Sequence, residues 1–505
     1  MSKDRVVILG GGVGGVTAAM ALSEPGWEDH FASITLYQQG WRLGGKGASG
    51  RGDDRRIEEH GLHIWFGFYE NAFRLLDHCH KELDRLEAQE GVARWKTEFR
   101  SVPESFLACD HITLTDYDGC RWKPWSADFF QTGDDKPWLW PDPREDGERP
   151  DDWSAVFYLQ RCIRLAGDLV ESLFEPGDTL AIVPGVFDAD PHTAITTAEE
   201  VGGSLNTSVK SLAGALTGNV HGALELAAET LDAVIEEGAE FPLALDVIDI
   251  VLRVLDVALE FVRGRADQLI RHNDAARRAW YVVDLMLAIS RGLIADGVLE
   301  EDDLDVINEY EFRAWLLKHG AARESADCAL VRAVVYDLAF AYSGGDPRRP
   351  AAEAGTALRG LLRAFFTYRG ALMWKMNSGM GDTIFAPIYE LLDKRGVEVK
   401  FFHRVEQLRV DDKGYVSEID IDVQTNAAPA NVLHVAAPSS AMAKGKAKGT
   451  DHATALWPAK PDLHQSAKAG APPPPAEDWE SWLVGRTEQV TAESKTIIRG
   501  AKSEG

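Results

Sequence analysis

The sequence predicts an α/β protein: a Rossmann-like parallel sheet at the N-terminus, a large, mostly helical insert, and an irregular C-terminal tail. Three observations predict it. Residues 5–9 (RVVIL) run into a glycine turn, a helix-forming stretch (VTAAMALSE) and the strand-like SITLY, which is the strand–turn–helix–strand opening of a parallel nucleotide-binding sheet. From Trp153 to about Tyr342, apolar residues recur with a helical period. Beyond Gln424 the chain turns Ala/Pro/Lys-rich and loses any period.

The elements follow in order. Residues 1–90 form the first segment of the nucleotide-binding domain and close with a helix, ENAFRLLDHCHKELDRL. Residues 91–152 mix short strands such as HITLTDY with Trp- and Pro-rich loops, the polar stretch 141–152 being an exposed one. Residues 153–345 are the helical insert, carried by AVFYLQRCIRLAGDLVESL, HGALELAAETLDAVIEEG, ARRAWYVVDLMLAISRGLI and EFRAWLLKHGA. Residues 346–424 return to the first domain, and 382–423 read helix, strand, strand, turn at Asp-Asp-Lys-Gly, strand. Residues 425–475 read as a linker. The tail, 476–505, holds DWESWL and a final strand candidate in KTIIRG.

Composition narrows the function. The chain has 505 residues, is 45% hydrophobic and carries a formal net charge of −27, so a large core is available and a phosphate backbone is a poor partner. No nucleic acid is expected. The five cysteines are scattered with no zinc spacing, which suits thiols in a reducing compartment. His78-Cys79-His80 looks metal-like, but neighbours on a helix diverge by about 100°, and no metal is expected. MSKDR runs straight into VVILGGG with no export segment. The most apolar run, 243–262, carries Asp246, Asp249, Arg253, Asp256 and Glu260 on one helical face, so it is amphipathic and does not span a bilayer. The chain reads as cytoplasmic, with membrane association peripheral at most.

The chemistry lies in three stretches. Gly10-Gly11-Gly12-Val13-Gly14-Gly15 fits G-x-G-x-x-G: Gly10 for the turn, Gly12 for approach to a pyrophosphate, Gly15 for packing helix on strand, with Val13 and Gly14 at the helix N-terminus. Gln38, followed by Gln39, stands where a carboxylate usually takes the ribose hydroxyls. An amide can accept and donate there, with a weaker grip than a charged group. The alternative is that Gln38 points to solvent and another group holds the ribose. In Arg42-Leu43-Gly44-Gly45-Lys46 the cations suit a pyrophosphate and the paired glycines suit a chain passing tight against a flat ring system. No Ser/His/Asp arrangement or carboxylate pair stands out.

The spacing Gln38…Arg42-x-Gly44-Gly45-Lys46 resembles the extended flavin fingerprint of the amine oxidase and phytoene (carotenoid) desaturase superfamily. GLHIWFGFYENAFRLL resembles its desaturase branch, where a similar segment, here His60, Gly61, Leu62 and His63, passes the flavin. GMGDTIFAPIYELLDKRGVEVKFFHRVEQL resembles the second FAD-contacting segment, in which Val405 takes the place of a valine whose backbone meets the adenine. The resemblance implies extended FAD and removal of hydride from an unactivated or amine-bearing carbon. The apolar substrate, isoprenoid or lipid-like, is expected between flavin and helical insert. An amine substrate is the nearest alternative, and an NAD(P)-dependent dehydrogenase is a further one. His63 and Lys375 are the candidates for groups close to the reacting atoms, against a packed structural histidine in the first case. Two departures stand out: Gln38 replaces the usual glutamate, and the family's closing C-terminal glycine–acid segment is not found after 424. The latter leaves room for a second polypeptide that completes the flavin site, for a truncated product or a repurposed tail, and for a non-catalytic subunit.

Overall fold

The computed structural model describes residues 3–52, 55–95, 97–117, 120–128, 154–174, 273–424, 434–436, 454–459 and 495–499, with isolated helical positions at 224, 227–229, 231, 251 and 255. The loop expected at 141–152, and most of the runs at 221–238 and 243–262, lie outside these residues.

The opening forms as its sequence requires. β1 (Asp4–Leu9) and β2 (Phe31–Tyr37) pair in parallel, linked through α1 (Val13–Leu22), whose Val16, Ala19 and Met20 are buried. β3 (Ser49–Arg51) and β4 (Ile57–Glu59) pair antiparallel. α2 (Glu70–Glu90) buries Phe73, Leu76, Cys79, His80, Leu83 and Leu86 at helical spacing and stops at Gly91, whose φ of 69° suits a C-terminal glycine. β5 (His111–Tyr117) and β6 (Trp122–Asp128) make an antiparallel hairpin.

Helices follow: α3 (Ala155–Phe174), α4 (Asp274–Ala295), α5 (Phe312–Lys318) and α6 (Ala354–Phe366). Asn273 caps α4, its side-chain oxygen accepting from Ala275 N and Ala276 N at 2.9 and 3.2 Å. Then come β7 (Met373–Met376), α7 (Ala386–Lys394), β8 (Glu398–Lys400), β9 (His403–Val410) and β10 (Val416–Val423). The expected turn joins the last two. Asp411 accepts from the backbone N–H groups of Lys413 and Tyr415, and Gly414 takes φ 83°. The short strands β11 (His434–Ala436) and β12 (Thr454–Leu456) pair with each other, and β13 (Lys495–Arg499), the predicted KTIIRG strand, pairs with β10.

The chain divides into two compact units. The first comprises Met1–Trp65, Tyr69–Leu107 and Trp374–Gly505. Its parallel sheet runs β1–β2–β8, and its antiparallel sheet runs β9–β10–β13. Trp65, Phe73, Phe106 and Trp374 form an aromatic core with ring centroids 4.8–5.9 Å apart. The second unit comprises Phe66–Phe68 and Ala108–Met373. Its described part packs α3 beside α4 around Leu159, Ile163, Val283, Leu287, Phe312 and Trp315.

Two boundaries differ from those read in the sequence. The return to the first unit falls at Trp374 instead of 346, because Ala354, Leu358 and Leu362, a stripe at four-residue spacing on α6, are buried in the core of the second unit. Residues 91–107 belong to the first unit, where the buried Arg94 side chain bonds His80 Nδ1 at 3.1 Å and Asp84 at 2.7 Å. A third correction concerns the linker at 425–475. Within it, 454–459 are built into the first unit: Trp457 is fully buried, its ring 5.5 Å from Tyr389 and 5.8 Å from Phe401. Composition averaged over an Ala/Pro-rich run hides one buried tryptophan. No described helix is long and apolar enough to cross a membrane.

Candidate dinucleotide-binding site

β1 ends in a turn that only glycine satisfies at two points. Gly10 takes φ 92°, and its N–H donates to Tyr37 O at 2.8 Å. A Cβ on Gly15 would lie 1.8 Å from Gly10 O, so the first turn of α1 can close on the strand only without a side chain there. Gly10, Val13 and Gly14 are exposed, and a Cβ on Gly14 would meet nothing within 4 Å. Gly12 caps α1 with no side-chain hydrogen bond, and the first turn holds no acid. The helix therefore presents its N-terminal N–H groups and positive dipole end to an anion.

Gln38 does not point to solvent. It is 8% exposed, its Oε1 accepts from Gly11 N at 2.5 Å, and its Nε2 donates to Gln39 O at 2.6 Å. Its amide still has a second lone pair and a second hydrogen for a ribose. The backbone of Gln38 is held from both sides, donating to Lys400 O at 2.8 Å and accepting from His403 N at 2.9 Å. These bonds bring the start of β9 to the tip of β2. Val405, half-buried and paired with Ile421, follows two residues later.

The Arg42–Lys46 stretch folds back on the glycine turn. Gly44 N donates to Gly11 O at 2.8 Å, and Gly12 and Gly44 form a parallel bridge. A Cβ on Gly45 would stand 3.2 Å from Gly12 Cα, and Gly44 takes φ 124°. The paired glycines thus serve backbone-to-backbone contact with the first loop. Arg42 is buried, lies over the Trp41 ring at 5.1 Å, and approaches His60 Nε2 at 3.2 Å. His63 Nε2 donates to Lys46 O at 3.1 Å, and its Nδ1 is 3.0 Å from Glu59. Gly61 and Leu62 between them are exposed, as is Lys46. Gly10–Gly15, Gln38–Lys46 and His60–His63 therefore converge. Lys375 stands apart from these contacts, exposed on β7 between buried Trp374 and Met376.

Sequence reasoning missed a second layer behind this loop. Arg51 Nε donates to Asp382 at 2.7 Å, and its Nη2 donates to Glu98 at 2.9 Å and to Ser378 Oγ at 2.5 Å. Burial pushes the Asp382 carboxyl up to about 6, against the pull of Arg51. Asp382 sits in a π-helical turn, Gly381–Phe385, that leads into α7. Gly381 N donates to Ser49 Oγ at 2.6 Å, and a Cβ on Gly381 would lie 2.7 Å from Ser49 O. The only sequence signal for this layer was the glycine pair around Met380.

The family model described as the NAD(P)-binding Rossmann-like domain matches residues 8–79. None of the curated proteins matches the chain. The matched span holds the glycine turn, Gln38, the Arg42–Lys46 stretch and His60–His63. The chain therefore carries a Rossmann-like dinucleotide-binding domain at its N-terminus, which points to an oxidoreductase.

Proposed function

We propose that the chain is an FAD-dependent oxidoreductase of the desaturase or dehydrogenase kind, acting on an apolar, isoprenoid- or lipid-like substrate. One observation carries the choice of FAD: Arg42-x-Gly44-Gly45-Lys46 lies directly on the glycine turn. A second glycine-bearing loop packed on the anion-binding turn supports the resemblance to the extended flavin fingerprint. In this reading the N-terminal N–H groups of α1 hold the pyrophosphate and Lys46 adds charge to it. Gln38 offers its remaining lone pair and hydrogen to the ribose, and Arg42 braces the loop through Trp41 and His60. His63 stiffens the passage at Lys46 and is the protein group we place nearest the flavin. FAD, when bound, supplies the acceptor for a hydride leaving a substrate C–H bond. An amine substrate is the alternative within the same chemistry.

A second reading has its own observation. Among the described residues β1 pairs only with β2, and Leu9 at its end is 36% exposed. A sheet open at that strand suits a chain whose flavin site a further polypeptide completes.

Calorimetric titration of the purified chain with FAD, NAD⁺ and NADP⁺ tests the cofactor. One FAD per chain, bound more tightly than either nicotinamide dinucleotide, supports the proposal. Binding of a nicotinamide dinucleotide alone overturns it in favour of a dehydrogenase without flavin.

A further inference from the structure

We propose that Arg51 is a positioning residue: its guanidinium fixes the end of the dinucleotide loop to Glu98, Ser378 and Asp382 while its backbone pairs with the distant segment 454–459, so that this junction, a clasp on the loop, sets how firmly the dinucleotide is held. The inference rests on the dinucleotide-site reading, whose loop ends at β3.

The geometry is built from both sides of one residue. The Arg51 guanidinium bonds Asp382, Glu98, Ser378 and, through Nη1 at 3.0 Å, Arg55 O. Ser378 Oγ in turn donates to Glu98 at 2.6 Å, so one planar cation is braced by two carboxylates and by a hydroxyl that is itself tied to Glu98. The Arg51 backbone is paired as well. Its N–H donates to Trp457 O at 2.7 Å, and its carbonyl accepts from Ala459 N at 2.8 Å. A Cβ on Gly50 would lie 2.6 Å from Ala459 Cα, so the two backbones meet at contact distance. Ten residues upstream, Trp41 Nε1 donates to Pro458 O at 2.9 Å. Segment 454–459 thus touches both ends of the stretch 41–51, whose middle, Gly44–Lys46, lies on the glycine turn.

The segment is itself anchored. Trp457 is fully buried against Tyr389 and Phe401, and Gly381, one residue before Asp382, would meet the Trp457 ring at 3.2 Å if it bore a Cβ. Movement of 454–459 would have to break the Trp41 and Arg51 bonds together. Nothing in the nucleotide chemistry needs this arrangement; it couples a remote stretch of chain to the loop.

Hydrogen exchange by mass spectrometry on the full chain, with Arg51→Gln, Arg51→Lys and Trp457→Ala, tests the clasp. In Arg51→Gln, peptides covering 41–49 and 454–459 should exchange faster together, while β1 and β2 keep their protection. Trp457→Ala should loosen 41–51 in the same way, and Arg51→Lys, which keeps the charge and loses the fork, should fall between. The FAD Kd should rise about tenfold in Arg51→Gln, equivalent to about 1.4 kcal/mol. Faster exchange at only one of the two peptides, or equal loosening of the whole first unit in Arg51→Lys, overturns the clasp. Failure of the wild-type chain to bind any dinucleotide would sink the site reading instead, and the paired exchange would still decide the clasp.

Discussion

Gly15 and Gln38 show how differently two motif residues can be read. The glycine pattern gave Gly15 its role directly, and a Cβ 1.8 Å from Gly10 O leaves no alternative residue. Gly15→Ala must push α1 away from β1. Overpacking of this kind costs about 1–3 kcal/mol, and FAD affinity should drop at least about tenfold, read by titration. Gln38 was legible as an acceptor at the strand tip, but its inward bond to Gly11 N was not, because that bond depends on a loop the sequence does not place. Asp382 lies inside the GMGDTIF stretch, but its bonding to Arg51 was not legible, since its environment comes from β3, Glu98 and Trp457, none near it in sequence. Its carboxyl is raised from 3.8 to about 6, so the folded chain keeps a proton that the unfolded chain releases between those values. Stability from this group is greatest below about pH 4 and is lost as pH rises through 6. His80 acts in the opposite sense: burial lowers it from 6.5 to about 4, so it withdraws stability as pH falls below 6.5. Comparison with Asp382→Asn isolates the carboxyl. By urea unfolding, the variant should gain about 2 kcal/mol relative to wild type between pH 4 and pH 7.5. A gap that does not change with pH contradicts the assignment.

Among elements, those with a strong period were legible and those defined by a single contact were not. β1, β2, α2, α3, α4, α5 and the β9–turn–β10 hairpin follow the apolar spacing and turn chemistry of their own residues. The placement of α6 failed because its apolar stripe identifies a helix without naming the core it faces. Segment 454–459 failed for a related reason: its hold is one buried tryptophan and a few backbone bonds, which no composition window detects. Trp457→Ala removes the largest buried group of that segment and should cost about 3–5 kcal/mol of unfolding free energy by urea titration. A loss under about 1 kcal/mol would mean that 454–459 contributes little to the first unit.

Across the whole molecule, the nucleotide-binding unit is assembled from three separated stretches of chain, with the second unit contributed by the sequence between them. The glycine motif at the start made the Rossmann-like part of this unit readable. The central claim is that the converged loops hold FAD. Its most direct measurement is the visible spectrum of the purified chain, with the released cofactor identified by mass. Flavin bands with one FAD per chain are the predicted result. A colourless, folded chain that takes up no FAD on addition would contradict it.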